Sequence, residues 1–253
     1  MSQHHPWSRY VAIGDSFTEG IGDPEPQSPG GQRGWADRVA EVLSAYTDGF
    51  TYANLAIRGR LLQQIATEQV DAALAPKPDL ISVSAGGNDI IRPGSDADEV
   101  SARFEKMIER LSADGATVIM FNGPDIGMMP VLNRVRGKVA IYNENLRSIA
   151  QRHDAIVADM WSLRELSDPR MWAPDKLHFS TIGHNTIAAM VLDALAIDHT
   201  LEPFSPEPLP VLRWRDARAS DIDWAREYLV PWVLRRVRHQ SSGDNVVPKR
   251  PSF

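Results

Sequence analysis

The chain has 253 residues, 43% hydrophobic and 24% charged, enough ordinary globular sequence for a sizeable core. A net charge of −6 argues against nucleic acid as a partner, because such partners call for a strong basic patch. The absence of cysteine excludes disulfides, thiolate nucleophiles and Cys-ligated metals.

The first residues, Met1 to Trp7, lack the cationic region and apolar run of a signal peptide. No stretch approaches the roughly 18 apolar residues of a membrane span. The expectation is a soluble, cytoplasmic protein, with His4 and His5 on a floppy end and not in a metal site.

Residues 9–13 read as a short buried strand, continuous, apolar and bounded by Gly14. Residues 20–34 hold Pro24, Pro26, Pro29 and several glycines, which is loop chemistry of the kind that borders active sites. Trp35 opens a helical pattern carried by Val39, Val42, Leu43 and Tyr46. A second strand is expected over 50–55, a helix over 61–75, and a third strand over 79–84 that stops at Gly86-Gly87-Asn88-Asp89. The spacing of Val100, Phe104, Met107, Ile108 and Leu111 predicts a helix over 96–112. A fourth strand over 117–121 is followed by a helical stretch over 131–152 with an interruption at Gly137. A fifth strand over 155–159 leads through an irregular stretch to a last helix over 181–195.

Strands alternate with helices five times, the pattern of a parallel sheet covered on both faces. Sites in such sheets lie outside the carboxyl ends of the strands. The chemistry-bearing residues fall there: Asp15 and Ser16 after strand one, Gly59 after strand two, Asn88 and Asp89 after strand three, Asp175 and His178 beyond strand five.

A serine hydroxyl needs a base before it can attack. Asp175-Lys176-Leu177-His178 has the interval at which a carboxylate can orient an imidazole of the same loop, leaving the other ring nitrogen for Ser16. The backbone N–H groups of Ser16 and Gly59 and the amide of Asn88 are candidate oxyanion donors. Taken singly, each has a plainer reading. Ser16 can cap a helix or close a turn, Gly59 and Asn88 can be turn residues, and Ser180 can be the N-cap of the last helix. Asp15 and Asp89 read as supporting carboxylates that hold loop N–H groups. His153, His184, His199 and His239 read as structural or surface histidines. No Gly-x-Ser-x-Gly, Gly-x-Gly-x-x-Gly or Walker pattern is present.

Gly14-Asp15-Ser16, Gly59 in the Asn54 to Gly59 stretch, Gly87-Asn88-Asp89 and Asp175-x-x-His178 occur in the order of the four blocks of the SGNH (GDSL-type) hydrolases. The chain resembles that family over roughly 8–197, and its tail looks most like actinobacterial members. The resemblance implies an α/β three-layer sandwich with a five-stranded parallel sheet, the flavodoxin-like SGNH fold, and no cofactor or metal. It implies Ser16 as nucleophile, His178 as base and Asp175 as its orienter. Ser16, Gly59 and Asn88 would form the oxyanion hole. Phe17 and Phe179 depart from the Leu and Pro frequent at those places, and are expected at the acyl pocket.

The expected function is a serine esterase acting on small to medium acyl esters. Carbohydrate deacetylation, thioester hydrolysis and acyl transfer are alternatives on the same site, and a catalytically dead binding protein is another. The expected domain covers 8–200. Residues 201–253 read as a Pro-rich linker (Pro203, Pro206, Pro208, Pro210), a helical extension capped by Ser220, and a disordered tail from 241. Trp214, Trp224 and Trp232 suit either packing back on the domain or a subunit contact or lid. A homo-oligomer would form through this extension.

Overall fold

The computed structural model describes residues 5–129, 132–202, 204, 227 and 242–253. The short apolar runs pair into one sheet of five parallel strands: β1 (Arg9–Gly14), β2 (Thr51–Asn54), β3 (Leu80–Ser84), β4 (Thr117–Phe121) and β5 (Ile156–Ala158). Their order is β2-β1-β3-β4-β5, with β3 central, β1 between β2 and β3, and β2 at one edge. Tyr10 pairs with Tyr52 on one side and Leu80 on the other, and Leu80 pairs with Thr117.

Strand alternation divides the core into two. Val11, Ile13, Ile81, Val83, Val118 and Met120 face one layer, and Tyr10, Ala12, Leu80, Ile119 and Phe121 face the other. Both faces are therefore apolar, which is why these strands read as continuous runs. The first face is covered by α3 (Leu62–Glu68), α4 (Val70–Leu74), α6 (Ala97–Ser112) and α7 (Arg136–Arg152). The second is covered by α2 (Gly34–Ser44) and α8 (Thr181–Ala194). This is the expected α/β three-layer sandwich. Two one-turn helices, α1 (Ser16–Glu19) and α5 (Gly87–Ile90), sit directly after β1 and β3.

The helix expected over 61–75 is broken at Gln69 into α3 and α4. The stretch expected over 131–152 is a 3-10 turn over Leu132–Val135 followed by α7, with Gly137 inside the helix and no interruption there.

His5 is not on a floppy end. It is 6% exposed, its Nε2 lies 2.9 Å from the Leu43 carbonyl, and its ring stacks on Trp7. Residues 242–253, read as disordered, are held against the edge strand: Asn54 N–H donates to the Arg250 carbonyl at 2.9 Å, and Arg250 N–H donates back at 3.3 Å. A polar, Pro-containing tail has too little apolar surface to announce such docking, which rests on backbone pairing. The linker prolines, Ser220 and the tail tryptophans lie outside the described residues. Among the described residues, no helix is long and apolar enough to cross a membrane.

Candidate active site

Gly14 ends β1 between its neighbours β2 and β3, and its backbone is gripped by one side chain. Its N–H donates to Gln69 Oε1 at 2.8 Å, and Gln69 Nε2 donates to its carbonyl at 2.9 Å. Asp15 is extended and caps α1, accepting the Phe17 N–H at 3.1 Å. Gly20 ends the turn in the left-handed region with φ 94°, and its N–H returns to the Ser16 carbonyl. A Cβ on Gly20 would stand 2.8 Å from the Gly34 backbone, so the two glycines permit α1 and the start of α2 to touch. Ser16 is thus presented by a single helical turn fixed at both ends.

The loop before α8 brings the imidazole. His178 Nδ1 lies 2.6 Å from Asp175 Oδ2, and Nε2 lies 3.0 Å from Ser16 Oγ. An ionised carboxylate only accepts, so Nδ1 donates to Asp175 and Nε2 is left to accept the Ser16 hydroxyl. Asp175 Oδ1 also accepts the N–H groups of Leu177 and His178, both at 3.0 Å, around Lys176 in the left-handed region with φ 53°. Burial alone would raise the Asp175 carboxyl, but the hydrogen bond and charge of His178 and these two N–H groups hold it below its ordinary value. The side chains of His178 and Asp175 are 21% and 27% exposed, so the pair reaches solvent. An imidazole bridging a hydroxyl and a carboxylate in this way is equipped to take the hydroxyl proton.

Asn88, in α5, donates from Nδ2 to Asp15 Oδ2 at 2.9 Å and to the Arg60 carbonyl at 3.1 Å. Burial pushes the Asp15 carboxyl up to about 6, while the Phe17 N–H, the nearby His178 and the Asn88 amide pull it down. Asp89 Oδ2 accepts the Leu62 N–H at 2.9 Å, at the start of α3. Gly59, with φ 74°, lies in a loop stitched on both sides. Ile57 N–H donates to the Gly14 carbonyl at 3.2 Å before it, and Arg60 accepts from Asn88 after it. Phe17 and Phe179 lie against each other with centroids 5.5 Å apart, and Phe17 also packs on Trp35 and Phe121. Phe179 is 6% exposed, so it belongs to the aromatic core under α1.

Two positioning residues carried no motif. Glu19, buried in α1, accepts the Arg58 N–H at 2.6 Å and pairs with the Arg58 guanidinium, tying the Gly59 loop to the Ser16 turn. Gln69 has a readable signal: it lies on the apolar stripe of Ile65 and Ala73 at intervals of four residues, where a polar side chain needs a buried partner.

His184 is fully buried and bridges two site segments. Its Nδ1 accepts the Trp35 N–H at 3.2 Å and its Nε2 donates to the Ile21 carbonyl at 3.1 Å. Burial lowers it from 6.5 to about 4, so the folded protein holds it neutral. The unfolded chain takes up this proton as pH falls below about 6.5, before the folded protein can. The stability contribution of neutral His184 is therefore present above that pH and is lost as pH falls to about 4, by as much as roughly 3 kcal/mol. Asp15 acts in the opposite sense: its raised folded value relieves a burial cost as pH falls through about 6. Comparison with His184→Gln isolates the histidine. Between pH 7 and 4, the urea stability of the native protein should fall relative to that of the variant; parallel profiles would contradict a neutral buried His184.

The family model described as "GDSL-like Lipase/Acylhydrolase family" matches residues 12–186. The uncharacterized protein YpmR of Bacillus subtilis (strain 168) is 25% identical over 213 residues, spanning 73% of this chain and 80% of YpmR. Among solved structures, a catalytic mutant of Axe2, an acetylxylan esterase from Geobacillus stearothermophilus, superposes with a TM-score of 0.63 at 19% identity. That match covers 78% of this chain and 98% of Axe2. TesA superposes with a TM-score of 0.60 at 19% identity, covering 74% of this chain and 97% of TesA.

Proposed function

The chain belongs to the GDSL-like lipase/acylhydrolase family and is an ester-hydrolysing enzyme, and on that premise we propose a serine esterase that cleaves small to medium acyl esters through an acyl-enzyme. The observation that carries the reading is the unbroken contact chain from Asp175 through His178 to Ser16 Oγ. In the proposed cycle, His178 Nε2 takes the Ser16 proton as Oγ attacks the acyl carbonyl. The imidazolium, stabilised by Asp175, then protonates the departing alcohol. Water enters against the same base and releases the acid, restoring Ser16.

The oxyanion is met by the backbone N–H groups of Ser16 and Gly59 and by the Asn88 amide. Both Asn88 hydrogens are engaged, by Asp15 Oδ2 and by the Arg60 carbonyl, so the planar amide meets the oxyanion by shifting as a unit and giving up the longer contact to Arg60. Asp15 and Asp89 are supporting residues, acting on Asn88 and on the start of α3. The intact Asp175, His178 and Ser16 contacts argue against a dead binding protein. The proposed substrate is a small-molecule ester.

An ester panel tests the substrate class. p-Nitrophenyl esters from acetate to octanoate should turn over, with palmitate slow. Turnover of acyl-CoA or of acetylated xylooligosaccharides without turnover of the simple esters would move the assignment to thioester hydrolysis or carbohydrate deacetylation.

A further inference from the structure

Residues 242–253 do more than cover the exposed edge of β2, which is what a tail paired to an edge strand ordinarily achieves. Lys249 leaves that edge and buries its ammonium. Its side chain is 2% exposed, and Nζ donates to the carbonyls of Gln32 and Arg33 at 3.1 and 2.7 Å and pairs with Asp37 at 3.1 Å. All three ammonium hydrogens thus have acceptors, and none belongs to β2. Asp37, itself 2% exposed, also accepts the Tyr52 hydroxyl at 2.8 Å, so the anchor is built on both sides. At the other end of the segment, Gly243 lies so close to the Arg58 carbonyl that a Cβ there would stand 2.0 Å from it.

Each of these contacts is one step from the turn that carries Ser16. Arg33 precedes Gly34, which touches Gly20 at the end of α1. Asn54, paired with Arg250, donates from its side chain to the Thr18 carbonyl at 2.8 Å. Arg58 is held through its N–H and guanidinium by Glu19. The segment therefore braces α1 from three sides, and through Arg58 it also braces the loop that carries Gly59.

We propose that residues 242–253 form a strap that positions Ser16 and the Gly59 loop, with Lys249 as its anchor and Gly243 as its contact on that loop. This rests on the reading of Ser16 as nucleophile. Lys249 and Gly243 are positioning residues: neither reaches the reacting atoms, and each acts through backbone that does. A displacement of the nucleophile by about an ångström can cost on the order of a hundredfold in rate while leaving ground-state binding nearly intact.

The test uses the full chain carrying Lys249→Met, which keeps the stem and removes the donors, and separately Gly243→Ala. Gly243 is not in the left-handed region, so the added methyl tests its contact with the Gly59 loop, at the Arg58 carbonyl and at Ile57 Cγ2, which would stand 2.9 Å away. Two quantities are read well below the melting temperature of each variant: kcat and KM for p-nitrophenyl acetate, and the second-order rate of labelling by a fluorophosphonate. For both variants the expected result is a kcat lower by about 10- to 100-fold with KM within about twofold, and a parallel drop in labelling rate. A lowered melting temperature with kcat and labelling rate unchanged would mean a purely structural tail and overturn the proposal. If Lys249→Met does not fold, Gly243→Ala decides alone, and unchanged kcat in it overturns the proposal. A wild-type protein that is never labelled would overturn the Ser16 reading, and the strap with it. A labelled wild type with unaffected variants overturns only the strap.

Discussion

Ser16→Ala should lower kcat for p-nitrophenyl acetate by on the order of a millionfold, the scale seen when a serine hydrolase loses its nucleophile. The size follows from what the hydroxyl does: without Oγ there is no acyl-enzyme, and oxyanion donors and binding alone give only a small residual rate over water. The fold should be indifferent to the change. Ser16 lies in a turn fixed by other groups, namely the Asp15 cap, the Gly20 N–H and the Gln69 grip on Gly14. Far-ultraviolet circular dichroism and the urea midpoint should therefore match the native protein. Turnover retained within about tenfold would mean that another group is the nucleophile.

Asp175→Asn should cost about ten-thousandfold in kcat, with KM little changed. The loop itself survives this substitution, because an amide oxygen can still accept the N–H groups of Leu177 and His178 that Asp175 Oδ1 accepts now. What changes is the partner of the imidazole. The amide nitrogen facing His178 Nδ1 can donate but not accept. It therefore favours the tautomer with the proton on Nε2, the nitrogen that lies 3.0 Å from Ser16 Oγ and must be empty to act as base. No negative charge remains to stabilise an imidazolium. Activity within about fivefold of the native enzyme would show that His178 needs no orienter and would remove Asp175 from the mechanism.

The sheet was legible because each strand is a short apolar run buried on both faces, and a turn signal stops it where the topology needs it to stop. Ser16, Asn88 and His178 were legible for the same reason, since strand ends on one edge of a parallel sheet meet. What escaped the sequence depends on long-range polar contacts without a periodic signature. Gln69 breaks a helix that propensity would run through, and its only trace is a polar residue on an apolar stripe. Glu19 follows the motif closely, yet nothing local says that its carboxylate turns back to hold Arg58. Lys249 was hidden by composition: a lysine near the end of a polar tail ordinarily points to solvent, and only its three acceptors on distant segments account for its burial. The Asn88 amide was expected to await an oxyanion, whereas both of its hydrogens already have protein acceptors, Asp15 and Arg60.

Acylation of Ser16 is the step on which the proposed cycle turns, and covalent capture reads it at that residue. The native protein and Ser16→Ala are incubated with a fluorophosphonate, weighed intact by mass spectrometry, then digested and mapped. The expected result is a single adduct on the native protein, located on Ser16, and none on the variant. An adduct on another residue, or equal labelling of the variant, would mean that Ser16 is not the nucleophile.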